Sequence, residues 1–212
     1  MMALMFLTEK HDRKIKGRMV YNRKPTREWM SRDDAASPTC SVESIMLLSV
    51  IDSKENQDIL TADVLNAFIQ AYMPEVKDGE EWVMMKITGV LVDLLVSLDA
   101  ALYGPHVVFE KGRKVLYVQV LHPIYGMLIA ALRWYQHFKK DPEGIGFEFN
   151  PYDPCVANRT VNKNQQTIHF HVDNLKSSHV DPKVNDKFLE WLQNTYGKHG
   201  DVTYTRDLVP SI

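Results

Sequence analysis

Residues 155–180 hold three strand-like runs in close succession, and no other stretch constrains the fold as much. The runs 155–161 and 167–172 are joined by Asn162-Lys163-Asn164-Gln165-Gln166, a polar loop of the kind that reverses an antiparallel hairpin. Asp173-Asn174 follows directly, a dipeptide that tolerates turn geometry, and residues 175–180 can return as the next strand. This stretch therefore reads as an antiparallel hairpin and returning strand, with Asp173 at a hairpin tip.

Other segments supply helices and further strands. Ser41 can cap a helix through Val42, Ile45, Met46, Ser49 and Val50, with Glu43 in its first turn and an end near Asn56. Residues 58–64 read as a strand with Asp63 near its end, and 65–70 as a turn into a short helix. Residues 82–87 and 115–120 are strand candidates separated by a helix-like stretch at 90–102, with turns at Pro105 and Lys111-Gly112. A second helix follows Gly126 through Leu128, Leu132, Tyr135 and Phe138 to Lys140, closed by Pro142 and Gly144. A third follows Pro182 through Val184, Phe188, Leu189, Trp191 and Leu192. The mixture predicts an α+β fold, and 212 residues at 45% hydrophobic content suit one domain, or one with a small lobe.

Charge is unevenly spread. The net charge is −2, yet nine Lys and Arg between Lys10 and Arg32 face only Asp12 and Glu28. That run is either a solvated face or a strip that neutralises phosphates, gaining affinity through counterion release. The opening MMALMF is too short and lacks the basic lead of a secretory signal, so it is expected to be a tail. No uncharged apolar run approaches the roughly 18 residues of a membrane span. With only two cysteines, Cys40 and Cys155, the expectation is an intracellular protein, cytoplasmic or nuclear, with reduced thiols and no membrane partner.

Two metal chemistries compete for Asp173. Strand alternation would project His169, His171 and Asp173 from one side, and two imidazoles with a carboxylate could fill part of a zinc or iron sphere. The spacing resembles the His-x-His-x-Asp of metallo-β-lactamase-like hydrolases, but that family continues with His where Asn174 stands. Alternatively, a strand-end Asp63 and a hairpin-tip Asp173 on neighbouring strands could hold divalent cations for phosphoryl transfer, which needs converging carboxylates.

The neighbouring residues favour the second. The block "LTADVLNAFIQ" resembles the Asp-Val-x-x-Ala-Phe block of reverse transcriptases, and "YGMLIAALRWYQHFKK" resembles the Leu-Tyr-Gly-Leu block with its later Trp-Tyr in copia-type retrotransposons. The segment "GFEFNPYDPCVANR" is similar to that branch's Gly-Phe and Asp-Pro-Cys segment, and "HFHVDNL" falls where it carries Tyr-Val-Asp-Asp-Leu. Even "KGRMV" followed by "SPT" matches the branch's basic leading strand and Ser-Pro step. The blocks keep the family's order over roughly residues 13 to 200.

The resemblance to copia-type reverse transcriptase implies a right-hand polymerase fingers-palm fold, an antiparallel sheet with helices packed on one face. It implies a fingers-like basic segment over residues 1–40 and a palm-like region over 41–212. Asp63 and Asp173 take its metal-ligand positions for Mg2+ or Mn2+, with the Val64 carbonyl assisting. Phe68 takes its sugar-gating position. Lys16 and Arg18 fall to the incoming triphosphate, a cationic clamp for the transferring group, while Tyr125 and Gly126 line the template or nucleotide pocket. The implied partners are an RNA or DNA template-primer and deoxynucleoside triphosphates; the resemblance leaves the oligomeric state open.

The pattern breaks at Asn174, where the family has its second hairpin carboxylate. An amide offers one neutral carbonyl oxygen and is a poorer Mg2+ ligand. Ile129 stands where many copia-type sequences have Gln, and "TRDLVPSI" does not resemble the continuation into thumb and RNase H regions. The expectation is a truncated reverse-transcriptase fragment with impaired turnover. A non-catalytic nucleic-acid-binding remnant and the metallohydrolase are its alternatives.

Overall fold

The structure is a computed structural model and describes residues 3–9, 13, 15–22, 30, 31, 35–75 and 83–207. In chain order the strands are β1 (Ala3–Glu9), β2 (Ile15–Tyr21), β3 (Asp58–Asp63), β4 (Met84–Thr88), β5 (Val108–Glu110), β6 (Arg113–Gln119), β7 (Glu148–Phe149), β8 (Val156–Val161), β9 (Asn164–His171), β10 (Asn174–His179) and β11 (Thr203–Asp207). The helices are α1 (Val42–Lys54), α2 (Ala67–Gln70), α3 (Val90–Leu98), α4 (Ala100–Tyr103), α5 (Ala130–Gly144) and α6 (Pro182–Tyr196). The fold is mixed α+β, and every sheet is antiparallel. No helix among the described residues is long and apolar enough to cross a membrane.

The chain forms two interleaved compact units, residues 1–36 with 71–133 and residues 37–70 with 134–212. The first holds the β1–β2 hairpin and the three-stranded sheet β4-β6-β5. Its core includes Met85, Ile87, Val92, Val115 and Leu116. Gly126 has φ +90, and a Cβ there would lie 2.4 Å from the Tyr21 carbonyl oxygen and 2.5 Å from Val20 Cγ1. Only glycine fits, because the backbone passes against β2 in a left-handed conformation. The Tyr21 N–H donates to the Tyr125 carbonyl at 2.8 Å, closing that contact.

The second unit is a six-stranded sheet in the order β11-β3-β10-β9-β8-β7. Trp134 and Phe138 of α5 and Phe188, Leu192 and Tyr196 of α6 pack with Leu60, Ala62, Ile168, Phe170 and Leu175 from one face of the sheet. Each buried aromatic removes about 150–250 Å2 from water, so these rings dominate the packing of this unit. α1 meets the opposite face at its end, where buried Asp52 pairs with Lys176. A polar network also crosses the core: Ser177 donates to Asn185 Oδ1 (2.8 Å), and Asn185 Nδ2 donates to the Asp58 carbonyl (2.8 Å).

Several expected elements have different limits. The opening six residues are expected as a tail, but from Ala3 the chain forms β1, pairing with β2 from Ala3↔Tyr21 to Glu9↔Ile15. The stretch 90–102 is broken at Asp99, whose side chain accepts from the Leu102 N–H (2.9 Å) and starts α4. α5 begins at Ala130, beyond the left-handed Gly126, and Pro142 sits inside its last turn instead of closing it. The β8–β9 turn is only Asn162-Lys163, at φ 52 and 68, so Gln165 and Gln166 belong to β9. Two left-handed residues match a type I′ reversal, which follows the natural twist of paired strands. Trp82, expected as a strand residue, lies outside the described residues.

Candidate functional site

β3 turns Leu60 and Ala62 into the core, so Thr61 and Asp63 project from the opposite face. Antiparallel partners share a face, and the registers align two rows of side chains there. One row runs His171, Asn174, Asp63, Thr203 across β9, β10, β3 and β11; the other runs His169, Lys176, Thr61, Thr205. Together with Ile45 of α1 they line a cavity of about 400 Å3. Cα atoms of directly opposed residues in such a ladder are about 5 Å apart, so Asp63 has Asn174 on one side and Thr203 on the other.

Asp173 lies at the lip of this row. β9 ends at His171 and β10 begins at Asn174, leaving Val172 and Asp173 to reverse the chain. The Val64 N–H donates to the Asp173 carbonyl at 3.0 Å, tying the tip to the residue after Asp63. Asp63 and Asp173, distant in sequence, are thus brought to one end of one sheet.

Because Asp173 is in the turn and Val172 has φ 59, strand alternation does not extend from His169 and His171 to Asp173. The geometric premise of the His-x-His-x-Asp cluster is lost. Among the described residues, no group of three or more His, Cys, Asp or Glu side chains could hold a metal ion. At this sheet end the acids are Asp63 and Asp173, with the Asn174 amide directly opposite Asp63. Two carboxylates and a neutral amide are too small an oxygen donor set for a pair of divalent cations.

Electrostatics shape the second row. Burial, with Lys176 adding to it, pushes the His169 imidazolium down to about 4, so this ring is neutral near pH 7. Its Nε2 is buried without a hydrogen-bond partner among the described residues. Lys176 is tied to Asp52 by an ion pair in which Asp52 is buried. The cavity is therefore lined by the hydroxyls of Thr61, Thr203 and Thr205, the His169 and His171 rings, the Asn174 amide, the Asp52-paired Lys176 and the Asp63 side chain.

The remaining predicted residues divide between the two units. Val64 is buried in the core of the sheet unit, and Phe68 on α2 is half-buried against that core. In the other unit Arg18 of β2 lies over the Tyr125 ring, 5.5 Å from its centroid, beside Gly126. Lys16 is on β2; its side chain is outside the described part, as are six of the nine basic residues of the N-terminal run.

Residues to which the motifs gave no site role also build the site. Thr203 and Thr205 form its edge on β11, and only their own alternation hints at it. Trp134 donates its indole Nε1–H to the Val172 carbonyl at 2.6 Å. Neither a protein-family model nor a curated protein sequence matches the chain.

Proposed function

We propose that this chain is a reverse-transcriptase-like fingers-palm region of the copia type, built for template-directed nucleotidyl transfer. The single observation that carries this reading is the pairing of β3 with β10, which sets Asp63 beside the hairpin tip that bears Asp173 and Asn174. Two blocks that the resemblance marks as metal-binding, far apart in sequence, meet at one sheet end. The partners are a template-primer and deoxynucleoside triphosphates.

Asp63 and Asp173 would hold one Mg2+ or Mn2+, with the Asn174 carbonyl oxygen as a weaker third donor. Such a cation, when bound, polarises the primer hydroxyl and offsets charge on the transferring group. By the resemblance, Lys16 and Arg18 serve the triphosphate, Tyr125 and Gly126 the template or nucleotide pocket, and Phe68 the ribose 2′ position. Losing a second metal removes several kcal/mol of transition-state stabilisation. At about 1.36 kcal/mol per tenfold in rate, turnover falls by orders of magnitude.

Primer extension on a recessed template-primer with Mg2+ or Mn2+ tests this. The wild-type chain should extend weakly or not at all, Asn174→Asp should raise extension at least tenfold, and adding Asp63→Ala to that variant should abolish it. Extension that survives Asp63→Ala overturns the assignment.

The amide at Asn174 also favours a second reading, a remnant that binds nucleic acid without turnover. That version predicts binding that weakens steeply with salt and no extension even by Asn174→Asp.

A further inference from the structure

The hairpin tip is held in a conformation its sequence resists. Val172 has φ 59, a left-handed backbone that a β-branched side chain disfavours strongly. Reversals with one positive φ, at the first central position, ordinarily place glycine there. A strained residue of this kind persists only where its surroundings over-determine it.

Two hydrogen bonds do so. The Asp173 carbonyl accepts from the Val64 N–H at 3.0 Å, and the Val172 carbonyl accepts from Trp134 Nε1 at 2.6 Å. An indole has one donor, and Trp134 spends it on this turn. The ring itself is 1% exposed and is fixed by Phe138 and Tyr196, each with its centroid 5.4 Å away. A rigid helix thus reaches through the core to grip the backbone immediately before Asp173.

We propose that Trp134 is a positioning residue: its indole N–H holds the strained Val172-Asp173 turn and so keeps Asp173 beside Asp63. The consequence for metal binding rests on the reading given under Proposed function, whereas the grip on the turn does not. A ring acting only as core filler would stabilise the whole sheet unit evenly and show no preference for the tip.

Amide hydrogen exchange followed by NMR on wild type and Trp134→Phe separates the two, since phenylalanine keeps an aromatic ring and removes the donor. The proposal expects exchange at Val64, whose N–H bonds the tip, to accelerate at least tenfold relative to that at Leu60 and Phe170. It also expects Val172→Gly, added to Trp134→Phe, to restore much of the Val64 protection, because glycine adopts the left-handed backbone without help. A uniform loss across β3, β9 and β10, or unchanged protection at Val64, overturns it.

Should Trp134→Phe fail to fold, exchange of the indole N–H in the wild type decides between the two. Slow exchange in step with Val64 supports the grip, and exchange at the rate of a free indole overturns it. Adding Mn2+ to the wild type tests the other premise separately. Broadening of the amides around Asp63 and Asp173 supports a cation there; its absence sinks the metal reading and leaves the exchange result for Trp134 intact.

Discussion

Asp63, the last residue of β3, and Asn174, the first of β10, are direct antiparallel partners. A second carboxylate at Asn174 would set like charges on facing positions, an arrangement that is destabilising unless a cation lies between them. An amide there removes that repulsion together with the strongest reason for a second metal. The Asp63–Asn174 register is thus free of a like-charge pair.

Gly126 tests the packing of the other unit. With φ +90 and a backbone oxygen 2.4 Å from where a Cβ would sit, Gly126→Ala meets both backbone strain and a clash. Strain of this kind alone costs about 1–3 kcal/mol. The urea midpoint should fall accordingly; an unchanged midpoint would show that the turn does not pass against β2 as described.

Asp153 should govern acid stability. It is buried, which by itself would raise its carboxyl, but hydrogen bonds from Ser44, the Ser41 and Cys155 backbone and the Ser41 side chain hold it at about 2. A depressed carboxyl stabilises the fold above its unfolded pKa of about 3.9, and that contribution is lost as pH falls from there through about 2. The effect is on the order of 2 kcal/mol. Asp153→Asn should lower the urea midpoint at pH 6 and flatten the stability curve between pH 4 and pH 2. An equally steep curve in the variant would assign the acid lability to other groups.

Asn185 should be intolerant of truncation. It is fully buried and joins Ser177 of β10 to the Asp58 carbonyl of β3. Asn185→Ala leaves both partners short of a bond in the core, at about 1–3 kcal/mol for each unsatisfied group. Equilibrium unfolding measures this; a loss below about 0.5 kcal/mol, the ordinary size of a surface substitution, would mean that the network does not hold α6 to the sheet.

How far the fold was legible depended on whether burial was one-sided and local. α1 follows from the Ser41 cap, which accepts from the Ser44 N–H as expected, and the β8–β9–β10 meander follows from alternation. β1 was hidden because Leu4 to Glu9 are all exposed, so no period marks them, and β11 is nearly as exposed. Both exist through pairing with a partner strand, which no local pattern encodes. At the site, Asp63 and Asp173 could be read as strand-end acids, but their adjacency required a long-range register. The bond from Trp134 to Val172 and the Lys176–Asp52 pair are tertiary in the same way.

Whether Asp63 and Asp173 share a cation is decided by the number of Mn2+ ions the chain binds, read from the electron paramagnetic resonance of free Mn2+ during titration. One ion is expected for the wild type, a second for Asn174→Asp, and none at the same concentrations for Asp63→Ala. Undiminished Mn2+ binding after Asp63→Ala would contradict the shared site.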